Sequence, residues 1–146
     1  MKKEILIGAI IFFILSGFYI FSSNMTDSSA EPSSNRITNA KTYTVEINSN
    51  GYSPKELEIN QGDRVTWINK NSVPHWPASA MHPTHTLYPG SGIDKCGTEK
   101  QKDIFDACRG LNLGENWSFV FDLEGSWAYH DHLNLANVGR IIVRKE

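Results

Sequence analysis

The sequence predicts an all-β domain, an antiparallel Greek-key β-sandwich of about seven or eight short strands, preceded by an N-terminal transmembrane or signal helix. Three observations carry this expectation. Apolar residues recur at every second position in short runs, and Gly, Pro, Asn and Asp punctuate those runs. Beyond residue 40, no stretch shows the period of a long amphipathic helix.

At the N-terminus, Lys2 and Lys3 precede an apolar run over residues 5–21, broken only by Gly8, Ser16, Gly17 and Tyr19. As a helix this run spans about 25 Å, slightly less than the ~30 Å hydrocarbon core of a bilayer. The lysines favour an inside N-terminus and an exported remainder. Residues 1–21 are therefore expected to form a signal anchor. Cleavage after Ser28-Ser29-Ala30 is the alternative and would give a secreted protein. Residues 22–40, rich in Ser, Asn and Thr, read as a flexible linker, and residues 41–146 as the folded domain.

The strands follow in order. Tyr43, Val45 and Ile47 alternate with Thr42, Thr44 and Glu46, giving one apolar and one wet face. After Asn50-Gly51 and Pro54, Leu57 and Ile59 repeat the pattern, and Gln61-Gly62-Asp63 marks a turn. Val65 and Trp67 lie in phase over residues 64–69. Near the C-terminus Trp117, Phe119 and Phe121 alternate, Glu124-Gly125 turns the chain, and Trp127 and Tyr129 lead into His130. A last strand is expected over 138–144. The stretch 77–113 breaks the rhythm with Pro77, Pro83, Pro89 and four glycines. It is predicted as a long insertion loop between core strands, with one helical turn around 103–108.

Composition narrows the function. There are 14 Lys+Arg against 16 Asp+Glu, a net charge of -2, which offers no general attraction for nucleic acid. With 40% hydrophobic residues, four Trp, five Tyr and seven Phe, a packed core is expected and global disorder is excluded. Two cysteines, Cys96 and Cys108, suit an oxidising compartment and predict one disulfide closing a short loop; the alternative is that one of them ligates a metal.

All five histidines fall in two windows: His75, His82 and His85, then His130 and His132. Imidazoles that converge from distant chain positions point to a metal, since neutral imidazole is a common ligand for Cu, Zn, Fe and Ni.

Here the sequence resembles the cupredoxin family over about residues 41–146. Residues 51–69 look like the opening strands of plastocyanin- and amicyanin-type proteins, and run into Asn71-Ser-Val-Pro-His75, where the family has its first copper-binding His. The stretch Phe119-Val-Phe-Asp-Leu-Glu-Gly-Ser-Trp-Ala-Tyr-His-Asp131 and the return through Val138-Gly139 match as well. Aligned on Tyr129 and Gly139, the family's copper-binding Cys falls on Asp131, its second His on Asn134 and its axial Met on Asn137. Only His75 of the family's ligands is kept, so the resemblance implies the fold but no thiolate-based blue centre. A second resemblance links Tyr129-His-Asp-His132 to the Tyr-His-Ser-His stretch of multicopper oxidases, and His75-Trp76 to the start of their His-Trp-His motif. His82-Pro-Thr-His85 echoes a further oxidase motif, in a loop rather than a strand, and is read as coincidence.

The ligand set expected from these readings is His75, His85, His130, Asp131 and His132. Strand alternation directs His130 and His132 to one face and Asp131 to the other. Two arrangements follow. Either His130 and His132 act together, or Asp131 joins His75 with His85 or His82, and a bulge brings His132 around. Nitrogen donors with at most one carboxylate suit Cu(II) first and Zn(II) second, as a pale type 2-like site. The expected function is an exported, membrane-tethered copper-binding protein that captures or hands on the metal, to a redox or metal-transfer partner. The alternatives are a copper redox protein, an oligomer among them, and a metal-free interaction domain using Trp76 and Tyr88 as exposed aromatics.

Overall fold

The structure is a computed structural model and describes residues 40–145. The expected N-terminal helix, most of the linker and the cleavage position lie outside the described residues. Among the described residues, no helix is long and apolar enough to cross a membrane.

Eight strands follow one another: β1 (Thr42–Asn48), β2 (Gly51–Ser53), β3 (Glu56–Asn60), β4 (Arg64–Asn69), β5 (Pro77–Ser79), β6 (Asn116–Val120), β7 (Gly125–Asp131) and β8 (Asn134–Arg144). They build two four-stranded sheets, ordered β2-β1-β4-β6 and β3-β8-β7-β5. The sheets are mixed rather than purely antiparallel: β1 runs parallel to β4, and β3 parallel to β8. Alternation alone does not distinguish these pairings, because side chains point up and down in the same way in both.

The predicted apolar positions face inward. Val45, Ile47, Val65, Trp67, Ile141 and Val143 are all buried. Trp67 sits among aromatic rings from both sheets, with ring centroids 5.2 Å from Trp117, 5.4 Å from Tyr129 and 6.3 Å from Phe121. At Gly139 the Tyr129 ring packs directly on the β8 backbone, and a Cβ there would lie 2.3 Å from the Tyr129 Cζ.

The stretch 77–113 differs from the expectation in three respects. Its first residues form β5 and join a sheet. Its helical turns are 3₁₀, at Ile93–Lys95 and Glu99–Asp103, so the turn precedes the predicted position and residues 104–108 hold no helical turn. Tyr88, Ile104, Phe105 and Leu111 are buried, and Phe105 packs 4.9 Å from Phe121. The chain therefore returns to the core instead of leaving it. Tyr88 is not an exposed aromatic, because its apolar ring fills core space beside Phe119 and Trp127. Cys96 and Cys108 form the expected disulfide.

Candidate metal centre

Alternation along β7 sets up the site. Trp127 and Tyr129 pack into the core, so His130 between Tyr129 and Asp131 lies on the outer face of its sheet. On β5, Ala78 pairs with His130 on one side and bridges to Asp106 on the other. Directly opposed residues share a face, so Asp106, Ala78 and His130 make a row, and the small Ala78 leaves room between two longer side chains. Phe105, one residue before Asp106, turns inward and anchors this row to the core. The chain after β5 folds over it and delivers His82 and His85, the latter through its amide bonded to the Met81 carbonyl (2.7 Å). His132 follows β7 beyond a register irregularity at His130/Asp131, and its amide donates to the Trp76 carbonyl (2.8 Å).

One nitrogen from each of His82, His85, His130 and His132 lies within 4.8 Å of the others. His85 and His130 are buried, His132 is half-buried and His82 is exposed, so the group opens to solvent on the His82 side. His132 Nδ1 lies 2.9 Å from His85 Nε2. The other nitrogen of His85, Nδ1, is 2.5 Å from Asp106 Oδ2. Asp106 Oδ1 accepts from the Trp76 indole N–H (2.6 Å) and the Cys108 amide (2.7 Å). Trp76 is half-buried by these contacts and by His132, whose ring centroid is 4.5 Å away, and so is not a free exposed aromatic. His130 Nε2 is buried with no hydrogen-bond partner. Burial, then the nearby His85, His82 and His132, lowers the His130 pKa to about 4; burial followed by His85 and His82 lowers His132 as well. At neutral pH these imidazoles therefore keep lone pairs for a metal. Among the described residues, the non-glycine residues with positive φ are His85 (58°) and Cys108 (55°). A left-handed L-residue costs about 1–2 kcal/mol; one instance belongs to the group and the other is the disulfide residue whose amide bonds Asp106.

His75 and Asp131 are not brought into the group. They meet on the opposite side of the strand as a buried pair, with Nδ1 2.5 Å from Oδ2. Asp131 Oδ1 also accepts the amides of Trp76 (2.9 Å) and Leu133 (3.0 Å). The second nitrogen of His75, Nε2, lies 3.0 Å from Asn71 Nδ2, whose Oδ1 takes the Ser72 amide (2.8 Å). With both nitrogens of His75 and both oxygens of Asp131 engaged, this pair has no donor to spare. It occupies the position that the sequence resemblance associates with copper, with Asn137 Nδ2 3.5 Å from Asp131 and Asn134 exposed. Both cysteines are in the disulfide, so no thiolate is available among the described residues. The residues at the His75–Asp131 position therefore do not suit a metal, whereas the four histidines do, because a buried nitrogen there lacks a partner.

The sequence offered His82 only as an alternative to His85, and Asp106 was not foreseen. The clustering of histidines pointed toward the first, whereas nothing local marks the second.

No family model and no curated protein matches the chain. Among solved structures, a novel purple cupredoxin from Nitrosopumilus maritimus is 30% identical, with 70% of this chain and 99% of that one covered and a TM-score of 0.52. A reduced Cu(I) form of an amicyanin variant is 20% identical (70% and 82% covered, TM-score 0.52), and an oxidized amicyanin variant 22% identical (70% and 81%, TM-score 0.51). The chain belongs to the cupredoxin superfamily. Its histidine cluster lies on the outer face of a sheet, apart from the His75–Asp131 position.

Proposed function

We propose that this protein is an exported, membrane-tethered cupredoxin that binds one copper ion through His82, His85, His130 and His132, and that it captures and hands on the metal. The observation that carries this reading is the buried, unpartnered Nε2 of His130 beside three further imidazoles. An unsatisfied buried nitrogen costs about 1–3 kcal/mol, and a bound metal removes that cost. Four nitrogen donors without sulfur favour Cu(II) over Cu(I). The exposed position of His82 gives the ion a route in and out. A bound copper would supply Lewis acidity and one-electron chemistry. The chain's own residues supply the lone pairs, the Asp106 contact to His85 and the burial that keeps His130 and His132 neutral. Export and tethering rest on residues 1–40 of the sequence.

The test is Cu(II) titration of the purified full chain, followed by absorption and electron paramagnetic resonance. One equivalent with a type 2 spectrum and nitrogen couplings is expected, without an intense thiolate band. His130→Ala and His85→Ala should abolish tight uptake and His75→Ala should not. Uptake of Zn(II) in preference to Cu(II) would change the metal, and retention of copper in both His130→Ala and His85→Ala would refute the site.

A further inference from the structure

We propose that Asp106 is the positioning residue of this centre, fixing the proton of His85 on Nδ1 so that Nε2 carries the lone pair presented to the metal. The inference rests on the four-histidine reading and deepens it. Asp106 is 1% exposed and His85 0%, so no solvent competes for either group. The two carboxylate oxygens are divided. Oδ1 receives two N–H groups that cannot act as acceptors, the Trp76 indole and the Cys108 amide. Oδ2 is left for His85 alone. A carboxylate only accepts, so the nitrogen facing it carries the proton, and the other ring nitrogen is free to accept. That other nitrogen lies against His132 inside the cluster. A histidine ligand held through its second nitrogen by a carboxylate is the usual way in which a metal site sets ring orientation and basicity.

The division of oxygens makes a specific prediction for Asp106→Asn. The single amide oxygen is drawn to the side with two fixed donors, Trp76 and Cys108. The amide NH₂ then faces His85 Nδ1, which must become the acceptor, and the proton moves to Nε2. The variant would keep its hydrogen bonds and its shape yet present N–H instead of a lone pair to the metal. Asp103, exposed on the neighbouring 3₁₀ turn, serves as the control carboxylate.

The experiment uses ¹⁵N-labelled full chain, first metal-free and then titrated with Cu(II). Long-range ¹H–¹⁵N spectra, with His85 assigned by its loss in His85→Gln, are expected to show His85 protonated on Nδ1. In Asp106→Asn the proton is expected on Nε2 and Cu(II) affinity falls about 10–100-fold, while Asp103→Asn changes neither. A wild-type His85 protonated on Nε2 overturns the proposal even if Asp106→Asn fails to fold. So does an Asp106→Asn protein with the wild-type proton position and affinity. Copper uptake with the wrong tautomer defeats this inference alone. The expected tautomer without any copper uptake defeats the metal reading alone, since the tautomer is measured in the metal-free protein.

Discussion

Replacing Asp131 with Ala separates a structural pair from a ligand. Its carboxylate is 0% exposed and accepts from His75 Nδ1 and from the amides of Trp76 and Leu133. Leu133 is 52% exposed, so water can replace the carboxylate at its amide. The His75 N–H, in contrast, remains buried without a partner, at a cost of about 1.5–3 kcal/mol for a hydrogen bond to a charged group. The Trp76 amide adds about 1 kcal/mol, for a total of about 2.5–4 kcal/mol. In a domain of about 100 residues, each kcal/mol moves Tm by roughly 4–8 °C, so a fall of about 10–30 °C is expected. Urea and thermal melts in chelator measure the loss, and Cu(II) titration below the new Tm should still give one equivalent. An Asp131→Ala protein with unchanged melting and no copper uptake would refute the reasoning, because the carboxylate would then be a ligand rather than a structural acceptor.

Three further predictions follow from other parts of the fold. His130 has a folded pKa lowered to about 4, so the unfolded chain takes up its proton first, at a pKa near 6.5. Metal-free protein should therefore lose stability as pH falls from about 6.5 toward 4, by up to about 1.4 kcal/mol per pH unit for this group, and urea midpoints at about pH 7 and pH 5 check it. Gly139→Ala drives a Cβ into the buried Tyr129 ring and should cost about 1–3 kcal/mol with copper stoichiometry unaltered, read from the same melts. Replacing Cys96 and Cys108 by Ser opens a loop of sequence separation 12 and should lower stability by about 3 kcal/mol; a difference below about 0.5 kcal/mol in denaturant melts would contradict the chain-entropy account.

Much of the sandwich was legible because most of its strands are buried on one face only. Val45 and Ile47, Val65 and Trp67, and Phe119 and Phe121 announce themselves by period two. The parallel neighbours β1/β4 and β3/β8 were not legible, since the pattern is blind to strand direction. Tyr88, Phe105 and Leu111 stand isolated among glycines, prolines and charges, so nothing periodic signalled that the 77–113 stretch would help fill the core. At the site, the two faces of the Tyr129–His132 stretch could be read from alternation: the structure puts His130 and His132 together, and Asp131 with His75. Which face would gather the remaining histidines depended on a long connection folding back over the outer side of the sheet. That is a tertiary event, and Asp106 is placed by it through Phe105 in the core and Ala78 beside it.

The closed His75–Asp131 pair has a consequence for the proposed metal handling. The polar groups of that pair satisfy one another, so this part of the core needs no ion to complete it and can stay folded when empty. Loading then stabilises it only by mass action, about 2.7 kcal/mol when free metal is a hundred times its dissociation constant. Delivery to an acceptor would leave an intact scaffold ready for the next ion, with the changes confined to the chain that covers the outer face of the sheet.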